Sequence, residues 1–354
     1  MSSKPEEDSY SDNFDRLPDA LLLFIFNKLQ DAKSLSNCLL VSKRFFSLTP
    51  FTDTIFVSIP TPHHLSKPWT AASHMNTLRL LVHSLFLKPL KCFHHITAPK
   101  SATRSFDSSH HQPNAVLKNF KEIKSLHLEL PSHGDDLGSD CGASFLKWKA
   151  EFGSNLETCI ILGATSFERS NKFSSSSFCF QQKEQECMEQ TLTDDELKLR
   201  VIWTISCLIA ASTRHYWFKK ILADHPIPIL QRLLISDANK QGKLYMGTEE
   251  LVQLRNSMNS QKETLESSTL ERTPVPELSM KLWYLPVLEL PESGYVMRGA
   301  TLVLIRPVAW TTERRNSDLT VGKLDLEGDG KAFSEAVREM IKVKKNYLMT
   351  MSSF

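Results

Sequence analysis

The 354-residue sequence is short of several things. It has no run of the roughly 18 apolar residues that a membrane helix needs. Its most apolar stretch, Val201 to Ala211, is shorter than that and is followed by Arg214 and His215. The opening residues, MSSKPEEDSYSDN, are polar and acidic and lack the basic-then-apolar pattern of a secretory signal. The seven cysteines (Cys38, Cys92, Cys141, Cys159, Cys179, Cys187, Cys207) are odd in number and scattered, with no CxxC pair. A reducing compartment, nucleus and/or cytoplasm, is the expectation. Charge of one sign is scarce as well: the net charge is +2 and the pI about 8.1. That leaves no global field to attract nucleic acid or an anionic membrane. No GxSxG, P-loop or HExxH pattern marks a catalytic centre.

Two weaker signals were weighed. The histidine pairs His63–His64, His94–His95 and His110–His111, with Cys92, sit in polar loops, and adjacent residues rarely ligate one ion. Asp325-x-Glu327-x-Asp329-Gly330 opens like a calcium loop, but its twelfth position is Ala336 where a bidentate Glu is required. The expectation is no metal and no cofactor.

What is present is ordinary globular material, 41% hydrophobic and 23% charged, enough to bury a sizeable core. Polar interruptions fall at 97–114, 131–142, 168–191 and 256–276 and read as surface loops. Between them, helical spacing predicts a helix over Thr77–Leu90, and alternation predicts strands at Ile123–Leu130 and Leu156–Gly163. The strongest helix runs from Asp194 to Ala223, with Leu197, Val201, Ile205, Leu208 and Ile209 as its apolar face. Its first-turn acids suit the helix dipole. Ile229–Ile235 is a short apolar run, and Thr248 can cap a helix through Arg255. Leu282–Leu290 and Tyr295–Ile305 read as strands, and Asp329 can cap a last helix from Lys331 to about Leu348. FKEIKSLHLEL and FGSNLETCIIL share a lead-in and an apolar strand. They hint at irregular leucine-rich-repeat-like stacking, against which an ordinary α/β domain stands as the alternative. Trp203, His215, Tyr216 and Trp217 on or beside the long helix read as core before they read as a ligand pocket. The basic run Lys342–Lys345 reads as a solvated helix face before an import signal or nucleic-acid contact.

The most informative block is residues 14–48, FDRLPDALLLFIFNKLQDAKSLSNCLLVSKRFFSL. Pro18 suits a helix start and Asp19 adds favourable charge there. Leu22, Ile25, Phe26 and Leu29 share a helical face. Asp31 can cap a second helix that carries Leu35, Cys38 and Leu39 inward, and Ser42 a third with Phe45, Phe46 and Leu48. Three short helices in so few residues make a poor independent fold without metal or disulfide. Leu21 to Phe26 are six consecutive large apolar residues, and one helix cannot turn all of them inward. Some must face another chain or the following domain.

This block resembles the F-box family. The resemblance is carried by Leu17, Pro18, Asp19, Leu22, Ile25, Phe26, Leu29, Leu35, Cys38, Val41, Ser42, Lys43, Arg44 and Phe45; Phe45 stands where many members have Trp, and Ser42 where many have Cys. KSLHLELP at 124–131, LKWKAEFGSNLETCIILGA at 146–164, the helix at 196–217 and the segment 282–307 are similar to a plant group that includes an auxin-up-regulated subfamily.

The resemblance implies a mixed α+β chain: a three-helix F-box, then a helix/strand substrate-binding domain. In residues, this is a disordered tail at 1–11, the F-box at 12–60, a linker at 61–76, the substrate domain at 77–312 and a C-terminal helix and tail at 313–354. It implies a non-catalytic substrate-recognition subunit of a Skp adaptor–cullin–F-box ubiquitin ligase. Its partners would be a Skp-type adaptor, a cullin reached through that adaptor, and an unidentified protein substrate, with no nucleic acid or membrane. The implied adaptor contacts are Leu17, Pro18, Leu22, Ile25, Phe26, Leu29, Val41 and Lys43. Two other readings stay open: an adaptor-binding protein acting outside a ligase, and an enzyme with its site in 77–312.

Overall fold

In the computed structural model, the described residues are 14, 16–59, 113–131, 145–170, 193–260, 272–309 and 330–353. The expected helix at 77–90, the linker at 61–76, the 1–11 tail, the histidine pairs, Cys92 and residues 325–329 lie outside them.

Capping chemistry sets the first helices. Helix α1 spans Asp19–Leu29 and starts at Pro18, whose carbonyl receives the N–H groups of Leu21 and Leu22. It stops at Gln30, which takes a positive φ of 54° and returns its N–H to the Phe26 carbonyl. Asp31 caps α2 (Ala32–Cys38) by accepting from the Ser34 N–H at 2.8 Å. Ser42 caps α3 (Lys43–Leu48) by accepting from the Phe45 N–H at 3.1 Å. A short 3₁₀ turn, Thr49–Phe51, leads into strand β1, Thr54–Ser58.

β1 joins a ten-stranded sheet. The remaining elements are α4 (Pro113–Leu117), β2 (Ser125–Leu130), β3 (Phe145–Phe152), β4 (Leu156–Ala164), β5 (Ser166–Arg169), α5 (Asp194–Asp224), β6 (Arg232–Asp237), β7 (Gly242–Met246), α6 (Thr248–Ser260), β8 (Leu278–Leu290), β9 (Tyr295–Pro307), α7 (Lys331–Ile341) and β10 (Tyr347–Met351). The strand order is β1-β2-β6-β7-β3-β4-β9-β8-β10, with β5 paired to β9 beside β4. β1–β2, β2–β6 and β3–β7 are parallel and the other pairs antiparallel. The fold is therefore mixed α/β, with N-terminal helices followed by a sheet-rich domain. The two similar segments form β2 and β4, but β6, β7 and β3 lie between them, so they do not stack as neighbouring repeats.

Two cores result. On one face Leu22, Phe26 and Leu35 from the first helices pack into the same cluster as Ile55, Leu126, Leu233 and Leu208. On the other, α7 covers β4, β9 and β8 through Phe333, Val337 and Met340 against Leu162, Leu290 and Leu302. A fully buried side chain of this size contributes roughly 1.5–3 kcal/mol, so joining the first helices to the sheet is energetically substantial.

Three sequence expectations shift. On α5 the buried stripe runs through Arg200, Trp203, Thr204, Cys207, Ala211, His215 and Phe218, whereas Val201 is exposed. Hydropathy hid this stripe because several members are polar and find their partners on the sheet, on its flanking loops or on carbonyls of the helix itself. Arg214 pairs with Asp237 at 2.5 Å, and the Thr204 hydroxyl donates to the Arg200 carbonyl at 2.9 Å. The helix from Thr248 runs past Arg255 to Ser260. The last helix ends at Ile341, not near Leu348. Residues 347–351 instead pair with β8, in register from Tyr347↔Leu282 to Met351↔Leu278. Lys342–Lys345 thus lie on the connection between α7 and β10 rather than on a helix face.

Candidate functional site

The three N-terminal helices split the eight expected contact residues into two sets. Leu22 and Phe26 are sealed inside their own chain. Phe26 meets the Phe45 ring edge-on at 5.2 Å, and both side chains belong to the core that includes Ile55 and Leu35. They leave no surface for a second protein, so their assignment as direct contacts is corrected to a supporting role. Pro18, Ile25, Leu29, Val41 and Lys43 are exposed, and Leu17 is half-buried against the core.

The exposed set is larger than expected. Leu21 and Phe24 extend the Ile25–Leu29 ridge along α1, with the Lys28 ammonium 5.6 Å from the Phe24 ring centroid. On the α2–α3 connection Leu40 is 86% and Val41 67% exposed, and Phe46 on α3 is also exposed. The consecutive run at 21–26 signalled the α1 members. Leu40 gave no separate signal, and Phe46 was expected to be buried. So many exposed large apolar side chains on so short a block are the signature of an interaction site.

Arg44 of α3 fixes the start of α1. Its Nε lies 2.9 Å from Asp19 Oδ1, Nη1 donates to the Phe14 carbonyl at 2.9 Å, and Nη2 donates to the Leu17 carbonyl. Phe45 lies between the Phe14 and Phe26 rings, at 5.8 and 5.2 Å. An aromatic in this position locks the helices together.

The chemistry of the surface is that of docking. Its members are apolar side chains with lysines nearby, and they include no nucleophile–base pair. Among the described residues no group of three or more His, Cys, Asp or Glu could hold a metal ion. No helix among them is long and apolar enough to cross a membrane.

The aromatic group on α5 is core. Trp203, His215 and Trp217 are buried, and Tyr216 is partly so. His215 stacks on Phe152 with ring centroids 4.6 Å apart. Its Nε2 lies 3.1 Å from the Gly153 carbonyl and its Nδ1 2.7 Å from the Thr273 hydroxyl. The carbonyl can only accept, so Nε2 carries the proton and Nδ1 accepts from Thr273. Burial, helped by Lys219, lowers its pKa to about 3. Arg200 is buried too. It donates to Thr301 Oγ1 at 3.1 Å and to the Glu196 carbonyl at 2.7 Å, lies over the Tyr284 ring at 4.9 Å, and burial lowers its pKa.

Residues 14–53, which span the three helices, match the F-box-like family. Over nearly the whole chain the sequence is similar to three Arabidopsis thaliana proteins. The F-box protein At1g30200 is 38% identical over 384 residues, covering 99% of this chain and 96% of the relative. The F-box protein At5g46170 is 36% identical over 99% of this chain and 96% of the relative. The F-box protein AUF1 is 30% identical over 97% of this chain and 100% of the relative. No solved structure matches the chain.

Proposed function

This chain belongs to the F-box protein family, and from that premise we propose that it is the substrate-recognition subunit of a Skp adaptor–cullin–F-box ubiquitin ligase. The observation that carries the reading is the apolar ridge that α1 leaves uncovered, Leu21, Phe24, Ile25 and Leu29, together with exposed Leu40, Val41 and Phe46 on α3 and the turn before it. A Skp-type adaptor would cover this ridge. Burying the parts of these side chains that remain exposed is the driving force, set against the lost freedom of association.

The rest of the chain would hold a protein so that one of its lysines meets a charged conjugating enzyme. Rate enhancement then comes from positioning supplied to another subunit's chemistry. The place of work is the nucleus, the cytoplasm or both. Similarity to the AUF relatives supports a part in auxin response.

Co-purification from plant cells under proteasome inhibition tests the reading. The intact chain should bring down adaptor and cullin together. The Leu17→Ala/Pro18→Ala double variant should lose both while the chain stays folded. Adaptor without cullin would favour action outside a ligase, and unchanged capture by the double variant would refute the proposed docking surface.

A further inference from the structure

Among the described residues the sheet has several margins, and all but one are blunted. At β1 the chain bridges its own edge: Asp31 pairs with Phe56, and the Phe56 N–H donates to the Gln30 carbonyl at 2.8 Å. β5 ends in the exposed pair Glu168 and Arg169. The part of β8 beyond the reach of β10 carries Pro286 and Glu289. Charge, proline and self-coverage are the devices that keep a strand edge from joining another chain.

β10 has none of them. Its sequence, YLMTM, holds no charge and no proline, and its register against β8 runs without a bulge. Among the described residues no strand pairs its outer side. Leu348 projects from it at 71% exposure. Lysines gather at its entrance. Lys344 and Lys345 precede it, and the Asn346 side chain holds the Lys344 carbonyl at 2.9 Å.

We propose that the outer edge of β10 takes up an extended segment of a partner protein as an added strand. The segment alternates apolar residues, one of which packs on Leu348, and carries acidic residues where it passes Lys344 and Lys345. Main-chain hydrogen bonds supply affinity and the side chains supply selectivity, as in other strand-addition complexes. A second copy of this chain fits less well, because residues 347–353, YLMTMSS, contain no acidic residue to meet the lysines. Calling the partner the ligase substrate rests on the function proposed above, whereas the binding itself does not.

Fluorescence polarisation of the full chain tests this with two labelled peptides, Asp-Asp-Val-Thr-Val-Thr-Val and its Lys-Lys twin. The acidic peptide should bind at least about tenfold tighter, the equivalent of one favourable charge contact. Leu348→Glu should weaken it by about tenfold, since it removes the apolar contact and sets a like charge against the acidic segment. Lys344→Glu with Lys345→Glu should reverse the preference, a readout that stands if Leu348→Glu fails to fold. Equal binding of the twins, no binding of either, or unchanged affinity in a folded Leu348→Glu chain would overturn the proposal. So would a dimer in sedimentation that Leu348→Glu dissolves, since the edge then belongs to a second copy. Adaptor capture is measured on the same preparations. Peptide bound without adaptor captured speaks against the ligase reading alone; adaptor captured without peptide bound speaks against this one alone.

Discussion

Arg44 and Asp19, twenty-five residues apart, meet through Nε and Oδ1 at 2.9 Å, and the same guanidinium reaches back to the carbonyls of Phe14 and Leu17. One side chain on α3 therefore sets where α1 begins and how Leu17 and Pro18 are presented. Arg44→Ala is expected to weaken adaptor capture by about three- to tenfold, in line with the loss of charge-assisted hydrogen bonds at a half-exposed site. Arg44→Lys should restore little, because an ammonium cannot reproduce the planar fork. Calorimetric titration of adaptor into each variant checks this; full recovery with lysine would mean that charge alone suffices.

Leu22 and Ile25 occupy the same helix yet should fail in opposite ways. Leu22→Ala opens a cavity in the shared core and should lower unfolding free energy by about 2–5 kcal/mol. Ile25→Asp changes an exposed position and should shift stability by no more than about 0.5 kcal/mol. Adaptor binding should be lost in the Ile25 variant. In the Leu22 variant it should persist wherever that chain remains folded. Chemical denaturation and adaptor pull-down on both proteins separate the two outcomes.

That pair also shows what the sequence could and could not tell. Leu22 and Ile25 sit only about 60° apart around the helix axis, at 100° per residue. Periodicity groups them on one face, and only the position of Leu35, Ile55 and Phe45 in space divides them. The caps Asp31 and Ser42 were legible because each acts on an N–H three residues away. β2, β4, β8 and β9 were legible from their apolar runs and alternation, with ends displaced by a few residues. β3 and β7 were missed, since Lys147, Lys149 and Lys243 interrupt their apolar positions. β10 reads locally as the end of a helix, and it becomes a strand only through its pairing with Leu278–Leu282. The apolar stripe expected on α5 misplaced the buried face because Arg200, Thr204 and His215 look solvated until their partners are known.

A chain that begins at residue 78 lacks β1, which is built into the sheet of the domain that follows the first helices. Its loss bares the parallel edge of β2 from Ser125 to Glu129 and uncovers part of the cluster around Leu126 and Leu128. A chain beginning at residue 78 should self-associate at micromolar concentration, as unpaired edges do. Light scattering on that fragment, beside one beginning at residue 52, gives the comparison; a monodisperse shorter fragment would contradict it.

His215 predicts an acid-sensitive core. Its pKa falls to about 3 in the folded chain, against about 6.5 when unfolded. Between those values the unfolded chain binds a proton that the native one refuses, so the stabilisation is complete above about pH 6.5 and is lost as pH falls toward 3. Near pH 5 the slope should approach about 1.4 kcal/mol per pH unit from this group. His127 shifts in the same direction because of burial, so the His215 share is read as the difference between wild type and His215→Gln. Urea titrations at pH 7, 6 and 5 should show the gap between the two proteins narrowing with acid. A constant gap would mean that His215 does not titrate on unfolding as described.

The first strand after the N-terminal helices is hydrogen-bonded into the same sheet whose far side is β10, eight strand steps away. At about 4.8 Å per step the two margins stand roughly 40 Å apart. The sheet is thus a splint rather than a tether: whatever grips one end is held at a preset reach and angle from whatever grips the other. Lengthening a surface loop would leave that geometry alone, while inserting or deleting a single strand would re-aim the whole arm.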